Sequence, residues 1–325
     1  MTLFVTDGGG RAVGSLTDGD VRRALIGGVS TDAPVTAAMF RGFKTVSTAA
    51  EAASLPEALR PLRQKGITLV PLVDGEGRIA DIIDLSVTHT RLPISAILMA
   101  GGKGERLRPL TLTMPKPLLQ IDGKAIIDYN IEALGACGIS DITVTTRYLA
   151  EQIFEHFATP VGGVSVKCVR EDEPLGTIGS AALVELPAEG DTLVMNSDLL
   201  TTISFEDMYL MHRAEGADVT VAVIPYQITV PFAILGTDGR RVTSIEEKPS
   251  YSYLANAGIY IFANRVLKTL DKDRRTDATD LIENVIAGGG RVVYHPVNGT
   301  WIDVGSHTDF ERAAQLMRHH RNLSR

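Results

Sequence analysis

The chain has 325 residues, 44% of them hydrophobic and 22% charged, with a formal net charge of −7. That length allows two domains, and that hydrophobic share builds real cores, which excludes wholesale disorder. The acidic balance excludes general affinity for nucleic acid or an anionic membrane, so any phosphate site must be a local concentration of Lys and Arg.

The opening residues, Met-Thr-Leu-Phe-Val-Thr-Asp-Gly-Gly-Gly, have no basic region and no long apolar stretch, so no signal peptide is expected. No later run approaches the roughly 18 apolar residues of a membrane span. Residues 1–92 then repeat a pattern. Phe4 to Leu16 reads as strand, Gly-rich turn and strand, and Leu72 to Ile83 repeats it, with Asp7 falling on Asp74 and Arg11 on Arg78. Asp18 to Leu25 has the form of a capped amphipathic helix, and Ala49 to Lys65 reads as another.

The two hairpins and Leu16-Thr17-Asp18-Gly19-Asp20 resemble a pair of CBS domains, a small α+β module. The resemblance implies an adenine nucleotide held through the acid at Asp20. The first copy begins at its hairpin, and Val87 stands at the place of Asp20 in the second. The module is therefore expected mainly as a structural or dimerising appendage, and a homodimer follows from the resemblance.

From residue 93 to 325 the pattern changes to apolar strands alternating with helices. The strands are Ser95 to Met99, Asp141 to Thr146, Ser165 to Val169, Thr192 to Met195 and Val219 to Ile224. Such alternation predicts an α/β domain, a mainly parallel sheet covered on both faces. Ligands of such sheets sit at the carboxyl ends of strands, so the residues after each strand are the candidates. After the first strand comes Gly101-Gly102-Lys103-Gly104-Glu105-Arg106-Leu107-Arg108. Its glycines let backbone N–H groups approach phosphate, and its cations add charge. It is not a Walker A loop, lacking Gly-Lys-Ser/Thr, and Leu107 replaces the third glycine of a dinucleotide fingerprint. Lys116, between Pro115 and Pro117, is expected in an extended, stiff segment. Cys137 and Cys168 form neither a disulfide framework nor a zinc pattern, so both are expected reduced, in a cytoplasmic protein.

Leu98 to Leu107, then Pro115-Lys116-Pro117 and Gly123-Lys124, resemble the opening of the nucleotidyltransferases that make nucleoside-diphosphate sugars. The resemblance runs from about Ile94 to Phe310 and implies a Rossmann-like domain with a mainly parallel mixed sheet. It assigns Leu98, Ala100, Gly101, Gly102, Gly104 and Gly176 to the nucleotide, and Arg106 and Lys116 to the triphosphate. It assigns Asp198, after the strand Leu193 to Asn196, and Asp303, in Trp301-Ile302-Asp303-Val304-Gly305, to a metal. Two distant carboxylates suit Mg²⁺, which completes its shell with water and phosphate. Ser197 stands where the family usually has Gly. Lys248 is implied for the sugar phosphate, and Glu247 and Asn256 for the sugar. Asp172 or Glu173 is a candidate acceptor for a guanine edge.

The expected reaction is in-line displacement: a sugar-1-phosphate oxygen attacks the α-phosphorus of a nucleoside triphosphate, and pyrophosphate leaves. The nucleophile is already an anion, so no catalytic Ser, Cys or His is expected. A CBS module ahead of this domain resembles the guanylyltransferases that use GTP and glucosamine-1-phosphate in legionaminic acid synthesis. Mannose-1-phosphate guanylyltransferase and glucose-1-phosphate thymidylyltransferase stay open. The rival of another class is a non-catalytic nucleotide sensor.

Overall fold

A computed structural model of the chain describes residues 2–48 and 54–323. It divides into two compact units, Met1–Pro93 with Ala133–Ile139, and Ile94–Glu132 with Ser140–Arg325.

In the first unit, Thr2–Thr6 pairs antiparallel with Ala12–Thr17, and Leu69–Val73 pairs antiparallel with Ile79–Asp84. The repeat seen in the sequence is repeated in hydrogen bonds. Asp7 Oδ1 accepts from the N–H groups of Gly9 and Arg11, and Asp74 Oδ1 accepts from those of Glu76 and Arg78. The two turns meet through an antiparallel bridge between Arg11 and Arg78. The helix Asp18–Ile26 starts with a capping box in which Asp20 Oδ2 accepts from the Thr17 backbone N–H at 2.8 Å. The second predicted helix runs Leu55–Gln64; the predicted residues 49–53 lie outside the described residues. Pro56 stands in its first turn, where a missing N–H costs no hydrogen bond.

In the second unit the described residues form a seven-stranded mixed sheet. Its order is Val166–Arg170, Ile142–Thr146, Ser95–Ala100, Asp191–Asn196, Ser250–Ala263, Val219–Thr229, Val292–Pro296. The first four strands are mutually parallel. Ile142–Thr146 is buried along its whole length, as a strand covered on both faces must be. The chain leaves Ser95–Ala100 toward one edge and returns to its other side with Asp191–Asn196. The strand order therefore reverses beside Ser95–Ala100, where a crevice opens.

Ser250–Ala263 enters the middle of the sheet antiparallel to both neighbours. Its last seven residues are buried, whereas Ser250–Leu254 are exposed. Its partner Val219–Thr229 behaves likewise, buried at its start and exposed from Pro225 on. The two strands thus leave the core together as a paired arm.

Two apolar clusters hold this unit. Ile97, Val194, Val219, Tyr260, Phe262 and Leu281 pack on the sheet. Leu107, Leu119, Ile121, Ile126, Ile302 and Val304 form the second. That second cluster ties the glycine loop, the lysine segment and the late aspartate segment to one support. Each fully buried Leu or Ile there contributes about 1.5–3 kcal/mol, enough to fix loops with little regular structure.

Candidate active site

The ends of the four parallel strands supply the walls of one cavity of about 610 Å³. Ser95–Ala100 leads into Gly101 and Gly102, Ile142–Thr146 into Arg147, Val166–Arg170 into Glu171, and Asp191–Asn196 into Ser197 and Asp198. Gly104, Arg106, Lys116, Gly176 and Gly305 complete the part that the sequence points to.

Close approach explains the glycines. A Cβ on Gly101 would stand 2.7 Å from Glu171 Oε1. Gly104 has φ +60°, and a Cβ there would stand 2.9 Å from Thr111 Cγ2 and 3.1 Å from Lys116 Cβ. The glycine loop therefore lies directly against the lysine segment.

Lys116 differs from expectation in backbone. Pro115 is extended, but Lys116 opens a single 3₁₀ turn to Leu118, closed by Leu119 N–H donating to the Lys116 carbonyl at 3.1 Å. Pro117 fits there because its missing N–H would have no partner in a first turn. The side chain is buried, and its ammonium donates to Asp198 Oδ2 and, at 3.5 Å, to Asp303 Oδ1. Residues 116, 198 and 303 thus meet at one point.

The two aspartates are brought together by strand pairing. Leu199–Thr201 pairs antiparallel with Trp301–Asp303, with Leu199 opposite Asp303, and Val304 N–H donates to the Asp198 carbonyl at 3.1 Å. Ser197 is compatible with this turn: its Oγ donates to the Met99 carbonyl at 2.7 Å. Buried Asn130 donates to the Leu199 carbonyl at 2.9 Å and the Ser197 carbonyl at 3.4 Å. Trp301 Nε1 donates to the Ala257 carbonyl at 2.9 Å and pins the other side. Burial, and then the neighbouring Asp198 charge, push the Asp303 carboxyl above its ordinary range, while Lys116 and Arg106 oppose that shift. The Arg106 guanidinium lies over Gly305, where a Cβ would stand 3.0 Å from it.

This donor set suits a hard divalent cation. Two carboxylates face one point, and Asp198 Oδ1 is buried with no hydrogen-bond partner among the described residues. No cluster of three or more His, Cys, Asp or Glu fit for a metal occurs among the described residues. Mg²⁺ is commonly held by one or two carboxylates, with water and phosphate completing its shell.

Several residues stand elsewhere than expected. Leu98 is fully buried in the sheet and is not on the cavity wall, because it lies short of the strand's carboxyl end, where Met99 and Ala100 line the cavity. Ala100, two residues on, does line it. Glu247, Lys248 and Asn256 are exposed and absent from the lining. Lys248, at φ +46°, sits in the connection into the arm, which carries it out of the sheet body. Lys248, implied by the resemblance for the sugar phosphate, therefore does not line the cavity that holds the aspartates. Asn256 is tied to Tyr260 Oη at 3.0 Å and to Gly258 N–H at 2.9 Å. Asp172 and Glu173 are also exposed, and neither lines the cavity.

One residue before Asp172, Glu171 does line the cavity. Glu171 is 5% exposed, and its Oε2 accepts from Leu175 N–H at 3.3 Å. Burial raises its carboxyl above the usual glutamate value, against the opposing pull of that N–H, the Ser180 hydroxyl and the Arg147 charge. Arg147, Arg275 and Asp277 also line the cavity and were not singled out from the sequence. Arg147 follows directly on a predicted strand, so the strand-end rule could have found it. Asp277 caps the helix Ala278–Ala287, accepts from Thr177 N–H at 2.9 Å, and pairs with Arg275 at 2.8 Å. It thereby docks the loop that carries Gly176.

A glycine loop, clustered cations and paired carboxylates at the switch point of a parallel sheet define a nucleotide-handling α/β fold. Residues 95–320 match the nucleotidyl transferase family, and the chain belongs to it. It is 32% identical over 226 residues to the mannose-1-phosphate guanylyltransferase catalytic subunit beta of Danio rerio, covering 67% of this chain and 62% of that protein. It is 32% identical over 227 residues to the mannose-1-phosphate guanyltransferase of Neurospora crassa, with the same coverages. The match therefore spans about three fifths of the length of these relatives. In fold it is similar to the crystal structure of HddC from Yersinia pseudotuberculosis complexed with GMP-PN. That similarity has TM-score 0.53 and 21% identity, and covers 69% of this chain and 99% of that one.

Proposed function

We propose that the chain transfers a guanylyl group from GTP to a hexose-1-phosphate, giving a GDP-sugar and pyrophosphate. The observation that carries this reading is the meeting of Lys116, Asp198 and Asp303 on the wall that also holds the glycine loop and Arg106.

The chemistry follows from charge. A sugar-phosphate dianion must reach a triphosphate, and mutual repulsion is the main obstacle. The backbone N–H groups of Gly101, Gly102 and Gly104 would hold phosphate oxygens, and Arg106 and Lys116 the departing pyrophosphate. Asp198 and Asp303 would hold Mg²⁺, which would supply positive charge against the charge that develops on the phosphates. Holding both substrates in line removes roughly 7–11 kcal/mol of barrier. Each well-placed charge adds roughly 3 kcal/mol.

The base follows from Glu171. Guanine presents two adjacent donors, N1–H and the 2-amino group, which a carboxylate accepts side by side. Uracil and thymine offer one donor there between two acceptors, which a buried carboxylate repels. The sugar is the finer question. Mannose-1-phosphate is supported by the names of the relatives, and glucosamine-1-phosphate by the residues ahead of the catalytic unit. Asn256, bonded to the Gly258 that abuts Asn196 on the wall, favours the arm with Glu247 and Lys248 as the sugar side.

We read residues 1–92 as an incomplete CBS pair and 93–325 as the catalytic domain, supported by the matching bonds of the two hairpins. The Asp20 carboxylate is engaged by Thr17 and Arg23, so an adenine nucleotide is not the expected ligand there. Self-association is the role proposed for this unit.

The test is pyrophosphate release with a panel of four triphosphates and three sugar phosphates, with and without Mg²⁺. Release with GTP and one hexose-1-phosphate, abolished by chelator, is expected. No release with any pair would favour the nucleotide sensor.

A further inference from the structure

Lys116 and a divalent cation ask for the same oxygens. The Lys116 ammonium donates to Asp198 Oδ2 and lies 3.5 Å from Asp303 Oδ1. Its side chain is only 10% exposed, against 23% for Asp198 and 41% for Asp303. It is not a surface lysine that reaches the pair by chance. The 3₁₀ turn Lys116–Leu118 is held by buried Pro117 and Leu118, and the glycine loop closes over its Cβ.

We propose that Lys116 is a built-in competitor for the cation. It neutralises the two aspartates by itself and releases them only when a triphosphate draws its ammonium onto phosphate oxygens. This rests on the reading of Asp198 and Asp303 as the cation-holding pair. Two half-buried carboxylates facing one point repel each other, and a counter-charge between them offsets that repulsion. Lys116 supplies that charge from within the chain. A bare cation must first dislodge it, so its apparent affinity falls by the fraction of time that the pair is free. If Lys116 holds the pair nine-tenths of the time, the reduction is about tenfold. A triphosphate changes the balance, because it offers the ammonium new acceptors and brings the cation as its own complex. Cation entry and lysine release then become one event, and the lysine that guarded the pair is delivered to the phosphates where the reaction needs it.

The rival explanation is that any nearby positive charge weakens cation binding through space. Arg106 is the control for that. Its guanidinium lies over Gly305, two residues from Asp303, and adds to the same field without taking the aspartate oxygens as Lys116 does.

The experiment is Mn²⁺ binding to the full chain without nucleotide, followed by electron paramagnetic resonance. The wild type is compared with Lys116→Met, Lys116→Arg and Arg106→Met. Lys116→Met is expected to bind Mn²⁺ about tenfold tighter than the wild type or better. Lys116→Arg keeps a cation on the pair and is expected to bind as weakly as the wild type. It also preserves the counter-charge if the Met variant does not fold, and tight binding by it would overturn the proposal. Arg106→Met is expected to tighten binding about threefold at most. Equal tightening by Arg106→Met and Lys116→Met would overturn the proposal, as would equal affinity of Lys116→Met and wild type. In either case the cation pair itself would stand. No binding by any form up to about 10 mM Mn²⁺ would overturn the pair and, with it, the competition.

Discussion

Replacing Glu171 by Gln isolates the reading of the base. The substitution keeps size and shape and exchanges one carboxylate oxygen for an amide donor. In the structure Oε2 already accepts from Leu175 N–H, and Oε1 faces Gly101 across the cavity wall. A carboxylate has about four acceptor positions, so both oxygens keep capacity for the two guanine donors. A hydrogen bond to a charged group contributes about 1.5–3 kcal/mol. Losing one of the two, and turning a donor toward a donor, should cost about 3 kcal/mol, roughly 150-fold in kcat/KM for GTP. ATP and UTP, which do not present that donor pair, should lose much less or gain. The pH dependence has a definite sign. Burial raises the Glu171 pKa, and guanine binding needs the ionised form, so KM for GTP should rise as pH falls through that raised value. In Glu171→Gln this rise should vanish. The assay is initial-rate pyrophosphate release across nucleotides and pH. Equal losses for GTP and UTP, or an unchanged GTP preference, would refute the assignment.

Other outcomes follow from the same geometry. Asn130→Ala removes the donor to two carbonyls beside Asp198, so unfolding free energy should drop by about 1–3 kcal/mol, and kcat with it; denaturant unfolding measures the first. Gly176→Ala would place a Cβ 2.4 Å from the Thr276 carbonyl at φ +86°, so it should cost about 1–3 kcal/mol and raise KM for GTP. Unchanged melting and KM would show that the loop yields freely. Burial pushes the Cys168 thiol up to about 11. At pH 8 only about one part in a thousand should be thiolate, so alkylation followed by mass spectrometry should be slow and should accelerate steadily toward pH 11.

The strands that position the site were readable because each is a short apolar run ending in Gly or polar residues. Ser95–Ala100, Ile142–Thr146, Val166–Arg170 and Asp191–Asn196 lie within a residue or two of the predicted limits. The glycine loop and Lys116 stood out by residue type and spacing, whereas Asp198 and Asp303 were pointed to by the family resemblance; the structure brings residues 116, 198 and 303 together. Glu171 was missed because three acids follow one another in the sequence, and only the fold tells which turns inward. Asn130 carries no signal: a single Asn in an apolar helix looks like a tolerated polar residue until its two carbonyl partners are known. The arm was not singled out from the sequence. Ser250–Ala263 changes from exposed to buried midway, so neither simple alternation nor a continuous apolar run describes it. Lys248, in the connection into that arm, is exposed and does not line the crevice.

The carboxylates at 198 and 303 are proposed to serve one cation in one displacement. Single-turnover guanylyl transfer by Asp198→Asn, Asp303→Asn and the double variant tests it most directly. Each single change should slow the chemical step at least ~100-fold, and the double should be little worse than either, because the two act as a unit. Near-normal turnover by Asp198→Asn, or fully multiplicative losses in the double variant, would contradict it.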